Sequence, residues 1–262
     1  GGTFGGGLSG AGADATNVVL TKTKAYIEAS DVVANDSSDG VADVRINAAS
    51  TSDISSTVLA FSIGAGGGGT VGIGASIGAA LATNNIGFDA NGNEQPAEVH
   101  AFIKNSSVDA SGVLEQTATA GQTISTLLIA GSAGIGGGGG VGVAASGAGA
   151  DALNKISVDA KAYIDGDRTL GIDAADVTLK AMDDSAIGAT AVGASLAASF
   201  AGTAAVSVSI GVALAENEIR NTVEAYIKNA DTHVTSHTGD ITVEAIEDAS
   251  ISAVSAAASL AA

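Results

Sequence analysis

Several groups of side chains in this sequence have the types and spacing that chemistry would need. Asp89, Asn91 and Asn93, in the stretch DANGNEQ, offer oxygen ligands at alternate positions, with Glu94 adjacent. That is the opening of a calcium loop, although the glycine and distal glutamate do not follow at the expected distances. Asn-Gly is equally a plain turn signal. Asp165, Asp167 and Asp173 in DGDRTLGID, and Asp36 and Asp39 in NDSSDG, are sparser arrangements of the same kind. His233 and His237 in THVTSH share one face if that segment is a strand, but no third metal ligand accompanies them, so solvated turn histidines are the simpler reading. His100 stands alone and reads as a surface strand residue. The pairs Asp183-Asp184 and Glu247-Asp248 have the composition of a general acid and base. They recur at the same place in two copies of a longer pattern, which reads as a solvated turn.

The glycine runs invite a phosphate-loop reading and do not support it. GAGGGGT (64–70) and GIGGGGGVG (134–142) lack the Lys-Ser/Thr that completes such a loop, and no helix pattern follows to offer its N-terminus. The calcium-binding nonapeptide of toxin repeats is absent too, because no polyglycine run carries its aspartate. With no Cys there is no thiol nucleophile, thiolate metal site or disulfide framework. With no Trp and three Tyr, the aromatic platforms of a polysaccharide-cleaving cleft are missing. No enzymatic activity is expected, and no cofactor beyond calcium at Asp89, Asn91 and Asn93.

What holds these residues must be built largely without bulk. The 262 residues include 37 Gly, one Pro and eight aromatics, and the apolar remainder is rich in Ala, Val and Ile. Closely approaching backbones are therefore expected in place of a jigsaw of large side chains. A net charge of −18 repels nucleic acid and anionic membrane, and suits a hydrated exterior.

The pattern repeats. Ala25-Tyr26-Ile27, Ala101-Phe102-Ile103, Ala162-Tyr163-Ile164 and Ala225-Tyr226-Ile227 are each preceded by an asparagine: Asn17, Asn84, Asn154 and Asn217. The asparagine lies eight residues ahead in three copies and seventeen ahead in the second, so about nine residues, DANGNEQPA, are inserted there. Each copy continues into a second landmark (VADVRINA, SGVLEQTA, AADVTLKA, GDITVEA), then a polar step, then a long uncharged run. Four units of about 65 residues account for the chain, roughly 1–65, 66–135, 136–199 and 200–262, and such self-similarity dictates the whole fold.

Period-two alternation in DVTLKA, TVEAYI and AVSVSIGVAL, rich in Val, Ile and Thr, marks strands. The expected fold is all-β, a parallel β-solenoid (β-helix) forming a single elongated repeat domain over 1–262. Three strand-and-turn segments of about 20 residues per unit predict about three coils per unit. Coils rising about 4.8 Å would make a rod roughly 55–60 Å long, with the asparagines on every third layer. Small residues on both faces predict one face packed into a thin interior and the other lying flat against a neighbouring sheet or chain.

Residues 186–215 carry no charge and are long enough for a membrane helix. Ser or Thr every few residues, the period of two and acidic flanks on both sides argue against it, so no membrane insertion is expected. Neither end resembles a polar cap, which predicts a segment of a longer array or copies stacked end to end.

Units of the form GVGVAASGAGADALNKI…AYI…DVTLKA resemble the Gly/Ala-rich repeats of giant bacterial surface proteins, the haemagglutinin-like and filamentous-adhesin-like polypeptides. The resemblance implies export to the bacterial cell surface or extracellular matrix, long parent chains, and roles in adhesion or filament formation. It carries over no functional residues. The expectation is a structural or adhesive extracellular fibre that assembles with itself, head to tail or laterally, through open β-edges and flat Gly/Ala-rich faces, with a host or cell-surface ligand as a further partner. A calcium- or carbohydrate-binding module and a Gly/Ala-rich membrane-associated assembly are the alternatives.

Overall fold

The computed structural model describes residues 2–35 and 40–262; the Asp36/Asp39 arrangement lies outside the described residues. The chain is all-β among them and its strand ladders are parallel. It makes four passes through three sheets in the same order. The first pass runs through β1 (Phe4–Val19), β2 (Lys22–Glu28), β3 (Asp31–Ala34) and β4 (Val44–Gly68). The second uses β5 (Val71–Ile86), β6 (Ala97–Lys104), β7 (Ser107–Ala110) and β8 (Leu114–Gly138). The third uses β9 (Val141–Asp165), β10 (Ile172–Ala174), β11 (Val177–Asp183) and β12 (Ala186–Ala201). The last uses β13 (Ala204–Lys228), β14 (Val234–Ser236), β15 (Ile241–Glu247) and β16 (Ser250–Ala261).

One sheet holds β1, β2, β5, β6, β9 and β13, and is called the front sheet below. The back sheet holds β4, β8, β11, β12, β15 and β16. A narrow sheet of β3, β7, β10 and β14 closes one side.

Registers place like on like. Asn17 pairs with Asn84, Asn84 with Asn154 and Asn154 with Asn217 in directly neighbouring strands. Tyr26, Phe102, Tyr163 and Tyr226 align in the same way. Each unit therefore makes one pass, not about three coils, and the asparagines sit on successive layers. The reason is strand length. β4, β8, β9 and β13 are each 25 residues, about 80 Å at 3.3 Å per residue, longer than the whole strand-and-turn segments that three coils per unit require. Four layers at about 4.8 Å span roughly 19 Å along the stacking axis, in place of the 55–60 Å rod.

In cross-section the described chain is a wedge. At its broad side Ile103, Ile124, Ile156, Ile164, Ile172 and Leu179 fill the space between front, back and narrow sheets. Toward the tight turns at 69–70, 139–140 and 202–203 the inward residues shrink, first to Ala80, Ala130 and Ala150. They shrink again to facing serines (Ser132 Oγ to Ser146 Oγ, 2.6 Å; Ser195 Oγ to Ser209 Oγ, 2.7 Å). Last come glycines. A Cβ on Gly66, Gly74, Gly134 or Gly136 would lie closer than 3.0 Å to the backbone of the opposite sheet. Glycine is thus what lets the two sheets meet backbone to backbone at the thin edge. The expected flat outer contact surface of Gly and Ala is corrected on this point: the glycines that cannot take a side chain face inward, between front and back sheets.

The insertion is where the sequence put it. Ile86 pairs with Ile156 and Ala97 with Val158, so residues 87–96 stand where β9 has Ser157 alone.

Candidate interaction surface

Three columns of side chains run through the layers at the broad side and middle of the wedge. The asparagine column is an amide ladder: Asn17 Nδ2 donates to Asn84 Oδ1, Asn84 Nδ2 to Asn154 Oδ1, and Asn154 Nδ2 to Asn217 Oδ1, each at 2.8 Å. Thr126 on the back sheet donates its hydroxyl to Asn154 Oδ1 at 2.7 Å. Asn84 and Asn154 are fully buried, and the ladder satisfies groups that would otherwise be costly there. These asparagines pair side chain to side chain within strands, where turn residues were anticipated. The aromatic column stacks Tyr26, Phe102, Tyr163 and Tyr226 with centroids 4.9, 4.9 and 5.0 Å apart.

Opposite charges pair between layers, and one column, Glu28, Lys104, Asp165 and Lys228, alternates in sign. Lys161 Nζ lies 3.2 Å from Glu224, Lys104 3.7 Å from Glu28, and Lys228 3.4 Å from Asp165, each pair on neighbouring layers. Individually such exposed pairs contribute little, at most about 1 kcal/mol. Their value is in fixing register between layers.

The residues singled out for chemistry are scattered. Asp89, Asn91 and Asn93 share the 87–96 loop, where Asp89 Oδ1 accepts the backbone N–H of Asn91 (2.8 Å) and Asn93 (2.9 Å), and its Oδ2 accepts the Asn93 side-chain amide (2.9 Å). The Asn93 amide and backbone donors hold the Asp89 carboxyl below its ordinary range. Both carboxylate oxygens thus serve the loop's own donors. Asp165 accepts from Asn229, Asp167 from the backbone of Thr232 and His233, and Asp173 faces His237 Nδ1 at 2.8 Å. His233 and His237 flank β14, with the His233 ring against Gly171. His100, mostly buried, faces Asp159 Oδ2 at 3.1 Å. Among the described residues no three His, Cys, Asp or Glu side chains cluster as a metal site.

One carboxylate pair differs from the solvated turn the sequence suggested, whereas Glu247 and Asp248 are both exposed. Asp184 is exposed, but Asp183 is only 2% exposed. Its Oδ1 accepts the Ser185 hydroxyl at 2.8 Å, and its Oδ2 accepts the Asn221 amide at 2.6 Å. Glu247 sits on the next layer in register with Asp183, and Asn221 also donates to it at 3.3 Å. Burial pushes the Asp183 carboxyl up; burial and the Asp183 charge push Glu247 up as well.

Sequence reasoning missed the most distinctive surface. In the thin half of the wedge the small residues face inward, so the large ones face out. On the back sheet Leu59, Phe61, Ile63, Leu127, Ile135, Leu196, Phe200, Val254 and Leu260 are exposed; on the front sheet so are Leu8, Ile77, Val206, Val208, Ile210 and Val212. The signal was present in the alternation itself, because Phe61-Ser62-Ile63-Gly64 assigns bulk to one face and its absence to the other. Every charged residue lies outside the runs 1–13, 54–88, 116–150, 185–215 and 249–262. Among the described residues no helix is long and apolar enough to cross a membrane.

Compared with protein family descriptions, curated proteins and solved structures, the chain matches none.

Proposed function

We propose that the chain is a section of a parallel β-solenoid whose work is structural: a fibre or adhesive scaffold at the bacterial cell surface, lengthened by stacking of layers. One observation carries the reading. The two end layers complement each other when one copy follows another in the same register. Asn217 would meet Asn17 of the next copy and Tyr226 would meet Tyr26, continuing both columns. Glu224 would meet Lys24 and Lys228 would meet Glu28, as Lys161 meets Glu224 and Lys104 meets Glu28 within the chain.

The edges support the same reading. Natural sheets blunt free edges with proline, lysine or bulges. Here the last back-sheet strand, β16, is exposed along its length and holds no Pro or Lys. Ser250 and Ala262 donate their N–H groups inward, to Ser185 and Ala197. In a parallel ladder the odd-numbered N–H groups between them point outward, toward a following layer. The resemblance to Gly/Ala-rich surface-protein repeats points the same way, and with it an extracellular location.

Negative-stain imaging and sedimentation test this. The unaltered chain is expected to form filaments with a 4.8 Å axial repeat. Ala253→Pro with Ala257→Pro, which removes two outward N–H groups from β16, is expected to leave short single particles. Short monodisperse particles from the unaltered chain would overturn the proposal.

A further inference from the structure

The outer faces of the thin half remain unexplained by end-to-end stacking, which covers edges and not faces. On the back sheet the uncharged band runs from the level of Thr57 to that of Gly67, about 33 Å at 3.3 Å per residue, and four strands wide, roughly 19 Å. That is roughly 630 Å² per copy, or about 1,250 Å² for two such faces in contact, above the roughly 1,000 Å² a specific interface needs. The face is also ridged. Leu196 and Leu260 flank a groove of about 430 Å³ floored by Gly131, Ala194 and Ala258. Contiguous apolar patches of this extent are rare on chains that remain alone in water.

From this we infer that the back-sheet band is covered by the same band of a second copy, laid face to face with strands running in opposite directions. Charge decides the direction. Beyond the band, Arg45 and Lys180 are ion-paired with Glu115 and Glu244, and Asp53 on β4 and Asp184 in the step between β11 and β12 leave this side net acidic. Copies side by side with their thin edges together would set these acidic regions about 10 Å apart, the spacing of packed sheets. That is close to one Debye length at physiological salt. Opposed copies separate the acidic regions by the length of the band, about 33 Å, several Debye lengths. A two-fold axis along the stacking direction relates such a pair, so layer meets like layer and the contact continues however many layers follow.

A lipid bilayer has a core of similar thickness, about 30 Å. It is the less favoured occupant because β4 and β16 are open edges at this level. Unpaired N–H and C=O groups in hydrocarbon cost several kcal/mol each. A second copy leaves those edges free to take another layer.

The absence of cysteine makes the geometry testable. Leu127→Cys and Gly137→Cys place single thiols on the outer face at opposite ends of the band; a Cβ at Gly137 meets nothing within 4 Å. With a short bis-maleimide, cross-linking is expected at least about tenfold more efficiently in a mixture of the two than in either alone. Cross-linking of Gly137→Cys with itself at comparable yield would overturn the opposed arrangement. Leu196→Glu, on the ridge and outside the core, is expected to weaken pairing at least about 100-fold by sedimentation with its strand spectrum unchanged. Unaltered pairing in that variant would overturn the interface. Monomers that float with neutral phosphatidylcholine vesicles would assign the band to lipid instead, and monomers that do not float would overturn both. Pairs that never lengthen would sink the stacking proposal and leave this one standing.

Discussion

Two adjacent glycines separate the physical account of the thin edge from any argument based on composition. Gly136 and Gly137 lie in the same strand, neither with a positive φ, and differ only in the direction a side chain would take. A Cβ on Gly136 would lie 2.5 Å from the Val143 carbonyl carbon and nearer still to its oxygen, whereas one on Gly137 meets nothing within 4 Å. Ordinary contact begins near 3.4 Å and the Val143 oxygen lies at 1.9 Å, so Gly136→Ala must part the sheets locally by about 1.5 Å. The obstacle is backbone and cannot rotate away. A gap of that size forfeits at least about half of each dispersion contact it opens, and Gly134 against Ala145 and Gly138 against Val141 would be opened with it. Overpacking of this kind costs about 3 kcal/mol, the upper part of its usual range. Gly137→Ala, by contrast, restricts the unfolded chain and is expected to stabilise by about 0.5 kcal/mol. Denaturant unfolding of the two variants should differ by about 3.5 kcal/mol with similar m-values. Equal stabilities would refute the backbone-to-backbone contact.

Other substitutions probe the interior. Gln116 is 0% exposed with neither end of its amide paired, while Ile46 and Leu179 occupy its column on the adjoining layers; Gln116→Leu is expected to stabilise by about 1–3 kcal/mol in denaturant unfolding. Asn154→Ala cuts the amide ladder, taking the acceptor from the Thr126 hydroxyl and the donor from Asn217 Oδ1 while Asn84 Nδ2 keeps only Thr126 Oγ1, and is expected to cost about 3 kcal/mol in the same measurement. Because Asp183 and Glu247 are held above their ordinary range in the fold, their protonated forms favour folding at acid pH, and that contribution is lost as pH rises through the folded-state values. The unfolding midpoint should therefore fall as pH rises above the ordinary carboxylate range, about 4, and Asp183→Asn should flatten that dependence when thermal melts are compared.

Much of the layer structure was legible in the sequence. Asn17, Asn84, Asn154 and Asn217 fall in one register, and the nine extra residues of the second copy loop out between β5 and β6. The number of passes was not legible. Period-two alternation reads the same in one 25-residue strand as in two shorter strands joined by a bend, and glycine, used here for thinness, resembles turn punctuation. Nor was the burial of Asp183. Beside Asp184 it has the look of a solvated pair, and only the register with Glu247 and the amide of Asn221 shows that one of the two acids points inward. The outer apolar faces were missed for a related reason. Apolar bulk is conventionally assigned to the interior, and in the thin half there is no room for it.

The 87–96 loop has a consequence for how such a chain changes over time. β9 continues straight past the point where the second pass departs and returns, and Ile86 and Ala97 keep their partners on either side. A pass can thus acquire an appendage of its own without renegotiating the passes above and below it. Diversity would then accumulate as tassels along the broad rim, each at a height set by its pass, while the scaffold beneath stays monotonous.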